Sequence, residues 1–437
     1  MSWLWRMGPL LDRPASDLVG IGSVEEASEL ERLVRARHLA AAVVFADDQG
    51  PGVGLVPARR RVAGRARFSG VQVRGRFTVF SDGRPAVRSS LGTHAVEKDG
   101  VLLVGSGEED WGELHFFWAL RLLAEFFVHH LDGPLVGLPP IGCLRLDDIP
   151  GTAEKQALGK AKSDATQERA VGKLMRLLAE TRSRLVVAVA ARALLDGEFV
   201  PADLVWPRAV AAIRQGVDRR LLEVAGHGLH HLSLARWAEG HVDAGEFDGL
   251  TQEQAGHALD QALVWLEGNL GPAETFVAPA WKYSEGTLRA AAERGLKVWF
   301  PARPGPLLQG MVLYESLNNG LPGLVACDFG PLRSLTAVGV PLTVVFHGRS
   351  LDGRLRTLLA ERQLLTLLRL AVRRDISRMC ALPFVRWVGA RELIDRLERH
   401  GEITVDGHDV RAPRSTEVTL MDRGGSRVVT LAGGGCS

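Results

Sequence analysis

Three of the chain's 13 histidines fall within five residues, in the stretch EVAGHGLHHLSLARW at 223–237. Histidine is the commonest side-chain metal ligand and titrates near neutral pH. His227 and His231 have HxxxH spacing. On a helical turn that spacing sets both rings on one face, with Cβ atoms roughly 5–6 Å apart. His230, three residues after His227, could take the part of His231. Two histidines do not fill a metal site, so a further ligand must come from elsewhere. An adjacent pair of carboxylates, Asp147 and Asp148, closes the apolar run CLRLDD. Two imidazoles and one carboxylate leave a position open for water, which is the layout of a catalytic rather than a structural zinc centre. We expect Asp148 to be the third ligand. Its neighbour cannot point the same way, so Asp147 is left free to act as general base. His347 ends another apolar run, LTVVFHG.

These residues need elements that bring them together. From Cys143 onward, apolar runs at 143–148, 184–190, 221–227, 275–279, 297–302, 324–329, 342–348 and 383–387 alternate with helical patterns. The helices are legible: Thr251 and Gln254 have capping-box spacing, and Ser284 opens the next one. Continuous apolar runs alternating with helices predict parallel strands covered by helices. Seven or eight such units predict a distorted (β/α) barrel of about seven strands over 139–400. In such a barrel chemistry sits at the C-terminal strand ends. Asp147-Asp148, His227, the Pro279-Ala280-Trp281 segment and His347 all fall there.

The flanks differ. Residues 1–25 read as an arm and 26–138 as a mixed α/β domain. The boundary between that domain and the barrel is the Gly/Pro-rich stretch 133–142. Residues 401–437, with an Asp-Gly turn at 406–407, read as a small β appendage. The run LHFFWALRLLAEFFV at 114–128 is interrupted by His115, Arg121 and Glu125 and is shorter than the roughly 20 residues of a membrane span. It reads as a buried amphipathic helix, with Asp110 and Glu113 at capping-box spacing.

Over 437 residues the net charge is +2, from 53 basic and 51 acidic side chains, and no nucleic-acid partner is implied. The first residues lack a secretory signal, and the four cysteines form no CxxC pair. These features point to a cytoplasmic setting. Oligomeric state is not readable.

The motif set resembles the polysaccharide deacetylase superfamily, carbohydrate esterase family 4 and its relatives, over about 139–400. LRLDDIPG is similar to the family's Asp-Asp motif, EVAGHGLHH to its HxxxH motif, FVAPAW to its Pro-aromatic loop and LTVVFHG to its terminal strand-and-histidine motif. The resemblance implies hydrolysis of an N-acetyl group from a sugar or sugar conjugate, with one divalent ion, zinc by default. It implies Asp147 as base, Asp148, His227 and His231 as ligands, and His347 as the acid that protonates the leaving amine. Pro279, Trp281 and Lys282 would line the substrate site. The family's third motif carries an arginine that pairs with the catalytic aspartate. Val277 or Ala278 stands there instead, and Arg145 or Lys282 is the candidate substitute. Two other readings follow from the same residues: hydrolysis of another C–N bond, in a formamide or cyclic amide, or a catalytically silent barrel that binds glycan or protein. A second Asp-Asp pair, Asp47-Asp48, and the adjacent His129-His130 lack the barrel context. Trp237 and Trp299 are read as core.

Overall fold

The computed structural model describes residues 19–46, 52, 56–68, 71–81, 85–89, 92–105, 126–130, 133–159, 161–239, 245–300, 314–315, 342–347, 385–406 and 408–433. Its N-terminal part is a seven-stranded sheet. The strands are β1 (Val19–Ser23), β2 (Ala41–Ala46), β3 (Arg59–Phe68), β4 (Val71–Phe80), β5 (Pro85–Ser89), β6 (Gly92–Lys98) and β7 (Val101–Gly105). The order is β1-β2-β7-β6-β4-β3, with β5 also on β6. The end of the expected arm is therefore a sheet strand, parallel to β2. Strand β7 is buried at every position because both faces are covered. Val44, Leu103 and Val101 meet Leu30 of the helix Ala27–Arg35 on one side. Val43, Leu102 and Val104 join the barrel's outer core on the other.

Of the expected apolar helix, residues 126–130 are helical and Phe126, Phe127 and Val128 are buried in that shared core. The rest of it, Asp110 and Glu113 included, lies outside the described residues, as do Asp47 and Asp48. His129 is exposed, and His130 Nε2 lies 3.0 Å from Glu97.

Next come β8 (Leu135–Gly137) and β9 (Ile141–Asp147), then β10 (Leu185–Val189), the hairpin β11 (Arg192–Leu195) and β12 (Glu198–Pro201), and β13 (Leu222–Gly226). They are followed by β14 (Thr275–Phe276), β15 (Lys297–Phe300), β16 (Tyr314–Glu315), β17 (Leu342–His347) and β18 (Arg386–Val388). Eight of these make one sheet, in the order β16-β15-β14-β13-β10-β9-β17, with β18 also on β9. Every pairing in it is parallel. The expected strand at 324–329 lies outside the described residues.

Alternation along the strands sorts the side chains by face. Leu144 and Leu146 of β9, Val187 of β10 and Val224 of β13 point to the helix-covered outside. There they pack with Val171, Met175 and Leu178 of the helix Asp164–Thr181 and with Val210 and Ile213 of the helix Pro207–Asp218. Cys143, Val186, Ala188, Ala225 and Val277 form the inner layer. Arg145 and Asp147 share the Cys143 face, so two charged groups enter the barrel interior. The helix Gln252–Asn269 has the expected capping box, and Glu285–Glu293 is capped by Ser284.

The sheet does not close into the expected barrel of about seven strands among the described residues; the helix Ala390–Gly401 packs on its inner layer through Ala390, Leu393 and Ile394. Glu223 of β13 accepts the backbone N–H of Arg391 at 3.0 Å. Gly389, the residue before this helix, is needed for that approach, since a Cβ there would meet the Glu223 carboxylate at 2.0 Å.

Beyond it lie the hairpin β19 (Thr404–Asp406) and β20 (Asp409–Arg411) at the expected Asp-Gly turn, then β21 (Thr416–Asp422) and β22 (Gly425–Leu431). Strand β21 pairs antiparallel with β8, inside the stretch read as a domain boundary. The C-terminal strands are thus zipped to the barrel's entrance, and buried Val136, Val405, Val418 and Leu420 pack together there.

Candidate metal centre

Strand β9 delivers the two carboxylates in different directions. Asp147 ends the strand on the inner face, fully buried. Both its oxygens are taken by Arg145, Nε to Oδ1 at 2.8 Å and Nη2 to Oδ2 at 2.9 Å. Residues two apart on a strand share a face, so the arginine reaches its partner without leaving the strand. A buried carboxylate needs such a partner, and a bidentate guanidinium also fixes its plane. Of the two substitutes expected for the missing arginine, Arg145 is the one paired with Asp147. Lys282 lies at the surface with Nζ 3.5 Å from Asp248. Val277, in the expected arginine's place, is a fully buried core residue.

Asp148 leaves the strand with φ 67°. A non-glycine residue rarely adopts that conformation, and it tends to be kept where function needs it. The turn aims the carboxylate at the histidine segment. Oδ1 lies 2.9 Å from His231 Nε2 and 3.3 Å from His227 Nε2. One ligand atom from each of Asp148, His227 and His231 falls within 4.8 Å of the others, and all three residues are buried. Burial is the largest influence on the Asp148 carboxyl and pushes its pKa up. Lys155, then His231 and the contacts with both rings, outweigh it and hold the carboxyl well below the usual range.

The histidines do not sit on a helix. His227 follows β13 directly, and 227–233 is an irregular loop with positive φ at Gly228 (83°) and His231 (65°). The expected helical face is replaced by a carboxylate latch. Buried Glu246 accepts the backbone N–H groups of three consecutive residues: Leu229 at 2.9 Å, His230 at 3.0 Å and His231 at 2.9 Å. Gly228 gives that carboxylate room, because a Cβ there would lie 2.3 Å from Glu246 Oε2. The loop's shape sorts the histidines. His231 turns toward Asp148. His230 turns away, its ring edge-on to Phe199 at 4.7 Å between centroids and Nδ1 3.7 Å from Glu246. Trp237 also meets Phe199 edge-on, at 6.2 Å between centroids.

Metal-binding histidines generally carry an outer hydrogen-bond partner; His227 has one, and His231 Nδ1, which makes no hydrogen bond among the described residues, has a carboxylate nearby. His227 Nδ1 donates to the Val277 carbonyl at 2.8 Å. His231 Nδ1 lies 3.3 Å from Glu154 Oε2. With Nδ1 protonated, a neutral His227 turns the lone pair of Nε2 toward Asp148. Neither Asp148 Oδ1 nor His227 Nε2 has a hydrogen-bond partner among the described residues. In that form two buried acceptors face each other, an arrangement a cation satisfies. Two imidazoles and one carboxylate suit zinc and other borderline divalent ions.

Three residues of this centre were not singled out by motif spacing: Glu246, Glu154 and Lys155. Glu154 and Lys155 lie on the short helix Ala153–Ala157, started by Thr152, whose hydroxyl accepts from Lys155 N. Buried Lys155 reaches Asp148 Oδ2 at 3.0 Å. The other expected site residues are placed as follows. His347 ends β17 in register with Asp147; its side chain lies outside the described residues, as do those of Trp281 and Trp299. Pro279 is buried, and Ala280 turns with φ 52° inside the Pro279–Trp281 turn.

No protein-family model matches the sequence, and no curated protein matches it. Among solved structures, the chain is similar to a Mycobacterium smegmatis protein described as a polysaccharide deacetylase. The identity is 16%, over 61% of this chain and 93% of that one, with a TM-score of 0.37. A CE4 family pseudoenzyme from Bacillus anthracis matches at 8% identity over 60% and 68%, TM-score 0.34. A 4-alpha-glucanotransferase from Thermococcus litoralis matches at 11% over 59% and 40%, TM-score 0.41. Likenesses at this level carry no argument about activity, and the three differ in what they do. Among the described residues, no helix is long and apolar enough to cross a membrane.

Proposed function

We propose that this chain is a divalent-metal-dependent hydrolase that removes the acetyl group from an N-acetylated sugar or sugar conjugate. The observation that carries the reading is the buried convergence of Asp148, His227 and His231, with Asp148 Oδ1 and His227 Nε2 facing one another at 3.3 Å and without a hydrogen-bond partner among the described residues. These three residues would hold the ion, zinc by default. A bound divalent ion supplies Lewis acidity toward a carbonyl oxygen and makes water more acidic.

The chain's own groups supply the rest. Asp147 accepts the proton of the attacking water, and Arg145 keeps its carboxylate in one orientation. His347 donates a proton to the leaving amine; the register that sets it beside Asp147 supports this assignment. Pro279, Trp281 and Lys282 bound the substrate side. The acetamide preference rests on the ordered motif set at 143–148, 223–231, 276–281 and 342–348.

One observation favours a second reading, a silent barrel that binds glycan or protein. Lys155 already gives Asp148 a positive partner. Metal analysis of the purified full chain, with hydrolysis of N-acetylated sugars by wild type, Asp147→Asn, Asp148→Asn and His347→Ala, decides between them. We expect about one ion per chain, lost in Asp148→Asn, and acetate release lost in all three variants. Formate in place of acetate would move the assignment to another C–N bond. A bound ion with no hydrolysis would favour the silent barrel, and an ion-free protein would overturn the centre itself.

A further inference from the structure

Both aspartates at the candidate metal centre already have a cationic partner before any ion is counted. Asp147 is closed by Arg145. Asp148 is closed by Lys155, whose Nζ is 3.0 Å from Oδ2 and 3.5 Å from the Asp148 carbonyl. Both partners of the second pair are buried. A lysine ammonium is a compact point charge with three donors, and it is not exposed here to the water that would screen it. The two Asp148 oxygens therefore have different occupations. Oδ2 belongs to Lys155, and Oδ1 alone faces the two histidine Nε2 atoms.

We propose that Lys155 is a positioning residue for this centre, an internal cation that fixes Asp148 as a one-oxygen ligand through Oδ1 and weakens divalent-ion binding so that the ion is exchangeable. The inference rests on the metal-centre reading above. Its physics is simple. A ligand carboxylate already paired with an ammonium offers a divalent ion less attraction than a free one. The ammonium itself repels the ion across a buried, weakly screened gap. Without the ammonium, Asp148 would be a buried charge lacking its partner, and a divalent ion would be the remaining source of compensation. Lys155 comes from the turn capped by Thr152, seven residues beyond Asp148, so its reach is set by the fold and not by the ligand loop.

The test compares full-length wild type, Lys155→Met and Lys155→Arg. Zn²⁺ and Co²⁺ are titrated against a competing chelator at fixed pH, and the thermal midpoint of each ion-free protein is measured. Lys155→Met keeps the length and removes the charge. We expect it to bind either ion at least tenfold tighter, to melt lower when ion-free and to regain its midpoint when the ion is added. Lys155→Arg, which keeps the charge, stays within about threefold of wild type. The Co²⁺ visible spectrum gives a readout independent of activity. Freeing Oδ2 lets Asp148 chelate through both oxygens, so the bands of Lys155→Met weaken as coordination number rises. If Lys155→Met folds only with ion present, its release rate into excess chelator replaces the titration, with at least tenfold slower release expected. Equal or weaker binding, or equal or faster release, overturns the inference and leaves the metal centre standing. A folded wild type and Lys155→Met that both fail to bind either ion overturn the centre and this inference together.

Discussion

Glu246 makes the sharpest demand on the structure. Its carboxylate accepts three successive buried N–H groups, those of Leu229, His230 and His231. In Glu246→Ala all three would be left without it. A hydrogen bond to a charged group contributes roughly 1.5–3 kcal/mol, so three sum to roughly 4–9 kcal/mol. The loop can escape part of that loss by opening to water, and we expect a net cost of about 3–5 kcal/mol. Opening is directly visible by amide hydrogen exchange. Each 1.4 kcal/mol is a factor of ten, so the amides of 229–231 should exchange about 100- to 3,000-fold faster. Glu246→Gln keeps one acceptor oxygen and loses the charge, and should fall near half that cost. The measurement is made with chelator present, so that a bound ion cannot hold the loop closed. Unchanged exchange at 229–231 in Glu246→Ala would refute the latch and the account of how the histidines are held.

Gly228→Ala should reproduce much of this effect, because φ 83° strains an alanine and its Cβ would meet Glu246. The check is loss of ion binding in a protein whose far-ultraviolet dichroism is unchanged. Arg145→Met leaves Asp147 buried without its bidentate partner and should cost about 3–5 kcal/mol, read as a lower urea midpoint. Arg145→Lys restores only part of it, since an ammonium cannot match the fork. The depressed Asp148 carboxyl stabilises the ion-free protein fully above the unfolded carboxylate value of about 4. That contribution is lost as pH falls from there toward the folded-state value. Asp148→Asn should flatten this part of the stability–pH curve, and a parallel curve for the variant would contradict the assignment. Burial raises the Cys143 thiol well above its ordinary value, with Glu223 adding to the rise and Arg145 opposing it. Mass mapping after alkylation should find Cys143 unlabelled in native protein and labelled after unfolding.

Strands β9 and β10 were legible because both are buried at every position and so read as largely apolar runs, as in 141–146 and 185–189. The capping box at Thr251 and the helix start at Ser284 were legible because a cap and its partner lie within one turn of sequence. The Asp148–His227–His231 grouping was legible from strand-end logic, though the helical turn offered as its cause is absent. What stayed hidden depends on closure in space. Glu246 binds main-chain N–H groups, which leave no mark on side-chain spacing. Lys155 reads as one more surface lysine until the Thr152 cap turns it inward. Arg145 had a usable signal: two residues from Asp147 on a strand, the two must share a face. The β8–β21 pairing joins segments at opposite ends of the barrel, and nothing local announces it.

The placement of β9 has a consequence for how the protein is made. The strand that ends in Asp147 is made before the histidine loop, yet two of its neighbours, β17 and β18, are made after it. Domains tend to assemble in the order they are translated. Here a nascent chain that has finished the histidine loop still lacks the flanks that seat Asp147. The half of the centre built on Asp147 is therefore completed only once β17 and β18 have been made.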